Sequence, residues 1–428
     1  MNFKKMALSA AVLTAAVSLA ACSSSKDTGS SSSKKSDDIQ TSVSKDTTIT
    51  FWHAMTGAQG AELEKMTADF EKANPKIHVT LQNQSSYPDL QAKLTSTMQS
   101  PKDLPTITQA YPGWLYNAAQ NDMLVDQGSF IKNSKIGISG DEAIQPALLE
   151  GAKFDDMQAG IPFNKSTEAL FYNADLLKQY DVKVPTTMDE LKTAAQTIYE
   201  KSNGEVVGAG FDALNNYYSI GMRDEGSKFD SKTDFTSEAS KSVVSYYLDG
   251  VKDGYFRIAG SDKYLSGPFT NQKVAMFVGT IAGESFVAQD AKFEYGVAAR
   301  PSKYNIQQGT DIYMFSNADK DQQTAAYLYE KFLVSTKEQV EWANATGYMP
   351  VTTAGMKDSA YTGSKTSKVP AIIAATSKNL FTNPIENNSD AAYTQLTATM
   401  QAILADPNGN IDDMLKKGKT ELDGAWNQ

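Results

Sequence analysis

Few side chains in this sequence are suited to covalent or metal chemistry. The 428 residues include two histidines, His53 and His78, and one cysteine, Cys22. No Gly-x-Ser-x-Gly elbow accompanies them, so a Ser-His-Asp nucleophile is not indicated. The clustered His and Cys ligands of a zinc site are absent from the sequence, whereas a calcium site built from carboxylates stays open. We therefore expect no cofactor, no metal site and no nucleophilic catalysis.

Carboxylates are abundant, and they leave one enzyme class open. Glycoside hydrolysis needs two carboxyl groups held about 5–10 Å apart across the scissile bond. The chain has 50 Asp and Glu residues, but their spacing in sequence does not reveal which of them meet in space. No Gly-x-x-x-x-Gly-Lys loop is present, so any ATP hydrolysis must belong to a partner.

The first residues have the layout of a secretory signal peptide. Lys4 and Lys5 precede the mostly apolar stretch 7–18, and Leu-Ala-Ala at 19–21 leads directly to Cys22. This resembles the lipobox of bacterial lipoproteins, whose cysteine receives a diacylglyceryl group and becomes the N-terminus; the alternative is a plain signal with a chance cysteine. The apolar run is shorter than the ~20 residues that span a bilayer. We expect residues 1–22 to be a lipoprotein signal, and the protein to be exported and lipid-anchored to the outer face of the cell membrane.

Residues 23–45 are typical of a spacer. They are mostly Ser, Lys, Asp and Thr, with Ile39 and Val43 as the only aliphatic residues. Such a segment cannot bury enough apolar surface to offset its conformational entropy. We expect it to be a disordered tether.

Length and charge limit which folds and partners are possible for the rest of the chain. The part from Asp46 onward is about 380 residues long, more than one hydrophobic core usually holds, so we expect two lobes. A net charge of −10 argues against a nucleic-acid partner, which would need clustered Lys and Arg. After Cys22 no cysteine remains for a disulfide bond, so packing alone must stabilise the fold.

Strand and helix patterns alternate along this part. Residues 48–52 fit a strand, 60–73 a helix that ends before Pro75, and 77–81 a second strand. Similar patterns predict a helix around residues 90–98, strands at 105–110, 169–172 and 274–278, and a helix at 188–201. This order predicts an α/β fold with mostly parallel sheets. Ligands of such sheets bind beyond the carboxyl ends of strands, which points to residues 52–53, 111–114, 164–167 and 279–280.

Five segments carry a family resemblance when they are taken together. They are Phe51-Trp52-His53 with 57–70 and Asn74-Pro75, then 161–173, Phe269 to Met276, Tyr295 to Val297, and Thr346 to Val351. In this order they are similar to the extracellular solute-binding proteins of ATP-binding cassette importers, in the branch that binds glycerol-3-phosphate and carbohydrates. The resemblance runs through nearly all of the chain beyond the spacer.

The resemblance implies two α/β lobes joined by a hinge, with a ligand cleft between them. Lobe one would take residues 46–162 plus 298–350, and lobe two 163–297 plus 351–428. The expected function is capture of a sugar, oligosaccharide or related polyol, with a glycerol phosphate as a further option, and its delivery to the importer's permease subunits. We expect a monomer without enzymatic activity; a tethered extracellular glycoside hydrolase is the alternative.

Aromatic residues are the first group of candidate ligand contacts. Trp52 and His53 end the first strand, where a ring could stack on a sugar and an imidazole could hydrogen-bond; burial in the core is the alternative. The resemblance places Tyr87 and Tyr348 at the ligand. A second aromatic pair, Tyr111 and Trp114, follows a predicted strand and could either face the cleft or pack in the core.

Polar and small residues form the second group. Ser166 matches a ligand-binding serine of the branch, and Asn164 and Thr167 add groups that suit a polyol, or that cap a turn. Looser matches to pocket positions are Gly279, Thr280, Gln308 and Gly309.

Two positions depart from the glycerol-3-phosphate branch. Glu386 stands where an arginine would hold the phosphate, and Pro112 where a ligand-binding glutamate would lie. The chain has only three arginines, Arg223, Arg257 and Arg300, and arginine is the preferred partner of phosphate. These departures favour an uncharged ligand.

Overall fold

Two five-stranded sheets organise the chain. The structure is a computed structural model that describes residues 39–428. Its strands are β1 Thr47–His53, β2 Ile77–Asn83, β3 Ile107–Ala110, β4 Gly160–Ser166, β5 Glu168–Asn173, β6 Ala209–Phe211, β7 Phe256–Ile258, β8 Met276–Thr280, β9 Tyr295–Ala299, β10 Asn305–Ile306, β11 Gln308–Met314 and β12 Leu380–Phe381.

Helices cover both sheets, and several end where the sequence signals predict. The helices are α1 Gly57–Ala73, α2 Tyr87–Thr97, α3 Tyr116–Gln120, α4 Gly128–Ile131, α5 Pro146–Glu150, α6 Ala174–Gln179, α7 Met188–Lys201, α8 Leu214–Asp224, α9 Glu238–Lys252, α10 Ser266–Thr270, α11 Glu284–Asp290, α12 Lys320–Leu333, α13 Thr336–Thr346, α14 Ser359–Thr362, α15 Ile373–Thr376, α16 Ser389–Leu404 and α17 Ile411–Trp426. The predicted bounds of α7 are confirmed; Thr187 caps it by accepting a hydrogen bond from the backbone N–H of Glu190.

The sheets define two lobes, and both are mixed. The first has the strand order β2-β1-β3-β11-β4, and the second has the order β7-β6-β8-β5-β9. Each combines two parallel and two antiparallel pairings. The α/β class and the two-lobe fold are confirmed, but the prediction of mostly parallel sheets is wrong. The strands that run against their neighbours are β11 in the first sheet and β5 in the second. The chain enters each of them directly from the other sheet, so no helix intervenes to restore a parallel direction.

The lobes are joined by short passages of the backbone that are at least partly buried at most positions. The shortest is Thr167 alone, because β4 ends at Ser166 in the first sheet and β5 begins at Glu168 in the second. The second passage, residues 300–307, leads from β9 to β11. The first sheet thus extends past residue 162, which is the predicted boundary between the lobes.

Buried hydrogen bonds tie these passages together. The Thr167 hydroxyl donates to the carbonyl oxygen of Ile306 at 2.8 Å, and the side-chain amide of Asn305 donates to the carbonyl oxygen of Glu168 at 2.8 Å. The Glu168 carboxylate also pairs with Arg300 at 3.1 Å, with both side chains about 2% exposed. Breaking such a pair by removing one partner costs about 3–5 kcal/mol, because the other charge is left buried and unpaired.

The spacer predicted over residues 23–45 does not extend to its predicted end. Ile39 and Val43 are partly buried against the core of the first lobe. The backbone N–H and the hydroxyl of Ser44 donate to the two carboxylate oxygens of Asp321, each at 2.7 Å. These bonds lower the pKa of Asp321, which lies in the first turn of α12. Residues 39–45 therefore belong to the folded part. Hydrogen bonds to Asp321 and packing against the core stabilise a segment whose own composition has few apolar residues.

Residues 39–428 contain neither a membrane-spanning helix nor a clustered metal-binding group. None of the helices there is long and apolar enough to cross a membrane. Within the same residues, no group of three or more His, Cys, Asp or Glu side chains could hold a metal ion.

Gly309 provides a test of the joint between the lobes. Its φ is +89°, a left-handed conformation, and a Cβ there would clash with the carbonyl oxygen of Asn164 on β4. We predict that Gly309→Ala lowers the free energy of unfolding by roughly 2–4 kcal/mol, measured by chemical denaturation. As the control, Gly424→Ala in α17 meets no atom within 4 Å and should be neutral or slightly stabilising. Equal stability of the two variants would contradict this prediction.

Candidate functional site

Three aromatic side chains of the first lobe form a cluster, which we call the aromatic cluster: Tyr87, Tyr111 and Trp114. Tyr87 begins α2, Tyr111 follows β3, and Trp114 lies in the short 3-10 helix Pro112–Leu115. The ring centroids are 5.4 Å apart for Tyr87 and Tyr111, 5.2 Å for Tyr111 and Trp114, and 6.0 Å for Tyr87 and Trp114, all edge to face. Each side chain is half-buried. The sequence predicts all three as contacts, and the fold brings them together.

Tyr348 joins this cluster from the Gly-Tyr-Met-Pro segment. Its phenol lies close enough to those of Tyr87 and Tyr111 to contribute to the raised pKa of both. Behind it, the ring stacks on Trp342 with the centroids 6.1 Å apart and the planes at 16°. The left-handed Gly347 that ends α13 directs the chain into this position. The packing holds Tyr348 in place beside the other rings.

A network of amides and hydroxyls lies next to the cluster. The side-chain amide of Gln109 donates to the Thr310 hydroxyl at 2.8 Å and, at longer distances, to the side chains of Asn164 at 3.3 Å and Tyr87 at 3.4 Å. The amide of Asn164 also donates to the Tyr87 hydroxyl at 3.2 Å. The carbonyl oxygen of the Gln109 side chain accepts a hydrogen bond from the backbone N–H of Ala54 at 2.9 Å. The network fixes the direction of the Tyr87 phenol.

Sequence reasoning missed Gln109 and Thr310. Gln109 lies on the four-residue strand β3, which is buried throughout. A buried glutamine on a strand that ends next to aromatic residues would have been a signal, because a buried amide needs polar partners. Thr310 carried no such signal, since its role depends on β11 lying beside β3.

Ser166 and Thr280 meet where the two sheets meet. Their hydroxyl oxygens are 2.6 Å apart, at the carboxyl ends of β4 and β8. Before Thr280, Gly279 leaves room for the Asp212 carboxylate, which a Cβ would approach at 2.5 Å. Thr167 does not join this pair; its hydroxyl donates to the carbonyl oxygen of Ile306 in the passage 300–307. On β11, Gln308 pairs with Ser166 in register, followed by Gly309.

The surroundings of the aromatic cluster are acidic. Burial raises the pKa of Tyr111, and the neighbours Tyr348, Tyr264, Asp311 and Asp390 raise it further. The pKa of Tyr87 is also raised, first by burial and then by Tyr348 and Tyr111. Both phenols therefore keep their protons at neutral pH and can donate hydrogen bonds.

Two predicted contacts lie in the core of the first lobe. Trp52 is 6% exposed, and the Lys93 ammonium lies 4.0 Å from its ring centre. His53 is 4% exposed, and its Nδ1 accepts a hydrogen bond from the Met55 N–H at 3.2 Å. Burial lowers the pKa of His53 to about 4. Among residues 39–428, no ring contact joins either side chain to the aromatic cluster.

Glu386 lies beside a cavity that contains an arginine. Its carboxylate accepts a hydrogen bond from the Ser231 N–H at 3.2 Å. The preceding residues 381–385 line a cavity of about 330 Å³, together with Arg223 and Lys228. The Arg223 guanidinium lies over the Phe381 ring at 5.2 Å. An arginine is thus present near Glu386 in space, although none stands at that position of the sequence; it is Arg223 of α8.

The chain is similar to a family of bacterial extracellular proteins. A family model described as bacterial extracellular solute-binding protein matches residues 65–369, so the chain belongs to this family. It is 26% identical over 335 residues to the sn-glycerol-3-phosphate-binding periplasmic protein UgpB of Salmonella typhimurium, covering 72% of this chain and 75% of that protein. The corresponding Brucella abortus protein is 24% identical over 340 residues, covering 73% and 76%.

Solved structures confirm the fold. The sugar-binding protein MalE of Xanthomonas citri superposes with a TM-score of 0.77 at 18% identity, covering 89% of this chain and 98% of that chain. The cyclic alpha-maltosyl-1,6-maltose binding protein of Arthrobacter globiformis superposes with a TM-score of 0.75 at 19% sequence identity, covering 89% of this chain and 100% of that chain. UgpB of Mycobacterium tuberculosis, in complex with glycerophosphocholine, superposes with a TM-score of 0.76 at 15% sequence identity, covering 89% of this chain and 98% of that chain.

The low pKa of His53 predicts how stability depends on pH. The unfolded chain binds a proton on this residue near pH 6.5, whereas the folded chain binds it only near pH 4. Between these values the unfolded state holds the extra proton, so stability falls as the pH decreases, by up to about 3 kcal/mol in all. We predict that His53→Gln removes this component from urea denaturation measured between pH 7 and pH 4.

The matched control is the other histidine. His78 is exposed on β2, so His78→Gln should keep the pH dependence of the unmodified protein. If His53→Gln and His78→Gln show the same pH dependence, His53 is not held neutral by burial.

Proposed function

We propose that this protein captures an uncharged sugar, oligosaccharide or related polyol outside the cell and delivers it to an ATP-binding cassette importer. The observation that carries the proposal is the aromatic cluster with Tyr348 beside the network of Gln109, Asn164 and Thr310. Aromatic rings pack against the apolar faces of sugars, and amides and hydroxyls match their hydroxyl groups. Small-ligand sites combine these two features, a mainly apolar wall and a few placed polar groups.

The charges around the cluster support a neutral ligand. Asp311 and Asp390 both disfavour negative charge at Tyr111. The cation on the adjoining strand, Lys165, is buried and already paired with Asp311 at 3.0 Å. An anion bound at the cluster would therefore find no free cation on that strand, and Asp390 would repel it. A glycerol phosphate is the second candidate, since the Salmonella relative is named for sn-glycerol-3-phosphate and Arg223 lines the nearby cavity.

We assign ligand contact to residues of both lobes. The first lobe contributes the aromatic cluster, Tyr348 and Asn164, and the joint between the lobes contributes Ser166 and Thr280. A ligand that touches both lobes stabilises the closed form by its higher affinity for that form. Closure is then a hinge motion about the passages between the sheets, and the permease subunits recognise the closed surface.

We also propose that the protein works while anchored to the outer face of the cell membrane through Cys22. The support is the order of Lys4, Lys5, the apolar stretch 7–18 and Cys22 in the sequence. These residues, and the predicted spacer as far as residue 38, lie outside the described residues.

Calorimetric titration tests the binding site. The protein is titrated with maltose, maltotriose, glycerol and sn-glycerol-3-phosphate. We predict that at least one of the three neutral compounds binds, that its Kd barely responds to salt, and that it is recovered chemically intact. Tyr348→Ala should raise its Kd by about tenfold, because it loses stacking area and a hydroxyl. Ser166→Ala should raise it less, because it loses only a hydroxyl.

Three results would contradict parts of this proposal. Tight, salt-sensitive binding of sn-glycerol-3-phosphate alone, lost in Arg223→Ala, would show that the arginine of α8 replaces the one missing at position 386. Steady release of a hydrolysis product from maltotriose would favour the glycoside hydrolase. An unchanged Kd in Tyr348→Ala would place the ligand elsewhere.

The anchor is tested by Cys22→Ser. Since the thiol is the acceptor of the lipid, we predict that this variant loses labelling by radioactive palmitate and accumulates as uncleaved precursor or in the medium. Ser24→Ala should be labelled normally. Unchanged labelling of Cys22→Ser, or processing of the native chain that resists globomycin, would rule out the lipoprotein anchor.

A further inference from the structure

One edge of the second sheet faces the joint between the lobes. The strands β6, β7 and β8 are parallel, so their carboxyl ends lie along the same edge. At that edge Thr280 pairs with Glu168, the first residue after the Thr167 passage. The loop that follows β7, residues 259–265, therefore starts on the side of the second lobe where the candidate site lies.

This loop is held in place by Asp212, which directly follows β6. Its Oδ1 accepts a hydrogen bond from the Leu265 N–H at 2.6 Å. The N–H of Asp212 in turn donates to the carbonyl oxygen of Val278 on β8 at 2.9 Å. Within the loop, Lys263 has a left-handed φ of +63°, a conformation that needs support from its surroundings. The anchor thus connects the loop to the same strand that carries Thr280.

The residue that the loop presents is Tyr264. Its side chain is 63% exposed, although it is a large aromatic ring. Among residues 39–428, only Phe286 on α11, at 65%, is a comparably exposed large hydrophobic residue. Tyr264 also lies close enough to Tyr111 to affect the ionisation of its phenol. The loop that starts on the side of the candidate site thus carries an exposed ring, and its phenol also contributes to the raised pKa of Tyr111 in the first lobe.

We propose that Tyr264 is a ligand-contacting residue of the second lobe, and that Asp212 positions it through the hydrogen bond to Leu265. This inference rests on the proposed function, because it takes a sugar as the ligand. With the aromatic cluster on one side and Tyr264 on the other, the sugar contacts rings from both lobes. Such contacts form fully only when the lobes close, so Tyr264 couples binding to closure. Its packing area also makes it a determinant of which sugar is bound.

Titration calorimetry tests Tyr264 with the tightest binder among maltose, maltotriose, glycerol and sn-glycerol-3-phosphate. Tyr264→Ala should raise the Kd by about tenfold, through the loss of one stacked ring. Tyr264→Phe keeps the ring and should bind within about threefold of the unmodified protein. Phe286→Ala removes a ring of similar exposure and should leave the Kd unchanged.

The positioning role of Asp212 is tested by a double-mutant cycle. Asp212→Ala should weaken binding, and Asp212→Asn should restore it, because the asparagine oxygen still accepts from Leu265. If Asp212 acts through Tyr264, the double variant Asp212→Ala/Tyr264→Ala should bind no more weakly than Tyr264→Ala alone. Additive losses, or no rescue by asparagine, would overturn this part of the proposal.

The outcomes separate this inference from the proposed function. If Tyr348→Ala weakens binding while Tyr264→Ala does not, the site stands and the role of Tyr264 is wrong. The role of Tyr264 is also wrong if Phe286→Ala weakens binding as much as Tyr264→Ala. If the unmodified protein binds none of the four compounds, the proposed function fails and this inference fails with it.

Discussion

The constraint on which the rest of the structure depends is the passage of the chain between two sheets through a single residue. Ser166 still pairs within the first sheet, and Glu168 already pairs within the second. Both strands are buried over almost their whole length, so every polar group at this point needs a partner inside the protein. The hydroxyl of Thr167 and the ion pairs Lys165–Asp311 and Glu168–Arg300 meet this requirement.

The same constraint brings the candidate site together. Because β4 and β5 are nearly continuous, the edge of the first sheet that carries Asn164 lies next to the edge of the second sheet that carries Thr280. The aromatic cluster comes from segments that follow β2 and β3, and β11 links these strands to β4. The site is therefore assembled from segments far apart in sequence, and its geometry depends on the short passage. A motion of one lobe relative to the other would therefore change distances within the site.

Charge at the site illustrates how a local substitution can mislead. In sequence, Glu386 in place of an arginine, together with the small number of arginines, favours a neutral ligand. The structure adds two facts of opposite sign. Asp311 and Asp390 make the surroundings of Tyr111 acidic, whereas Arg223 lies over Phe381 beside the segment that ends at Glu386. Asp311 and Asp390 contribute to the raised pKa of Tyr111 in the cluster, whereas Arg223 lines a cavity whose lining does not include the cluster residues, which is why we propose a neutral ligand first.

What the sequence by itself determined is local in origin. The spacing of apolar residues and the stop before Pro75 predicted α1, α7 and the first two strands, because periods of 3.6 and 2 depend only on neighbouring residues. The aromatic residues that follow β3 and the Gly-Tyr-Met-Pro segment were likewise visible as candidates. What only the tertiary structure decided is which strands are neighbours. Antiparallel β11 put Thr310 beside Gln109, the packing of β1 placed His53 in the core of the first lobe, and Asp321 held residues that composition assigned to a spacer. Each of these results depends on a partner distant in sequence, and no local pattern can contain it.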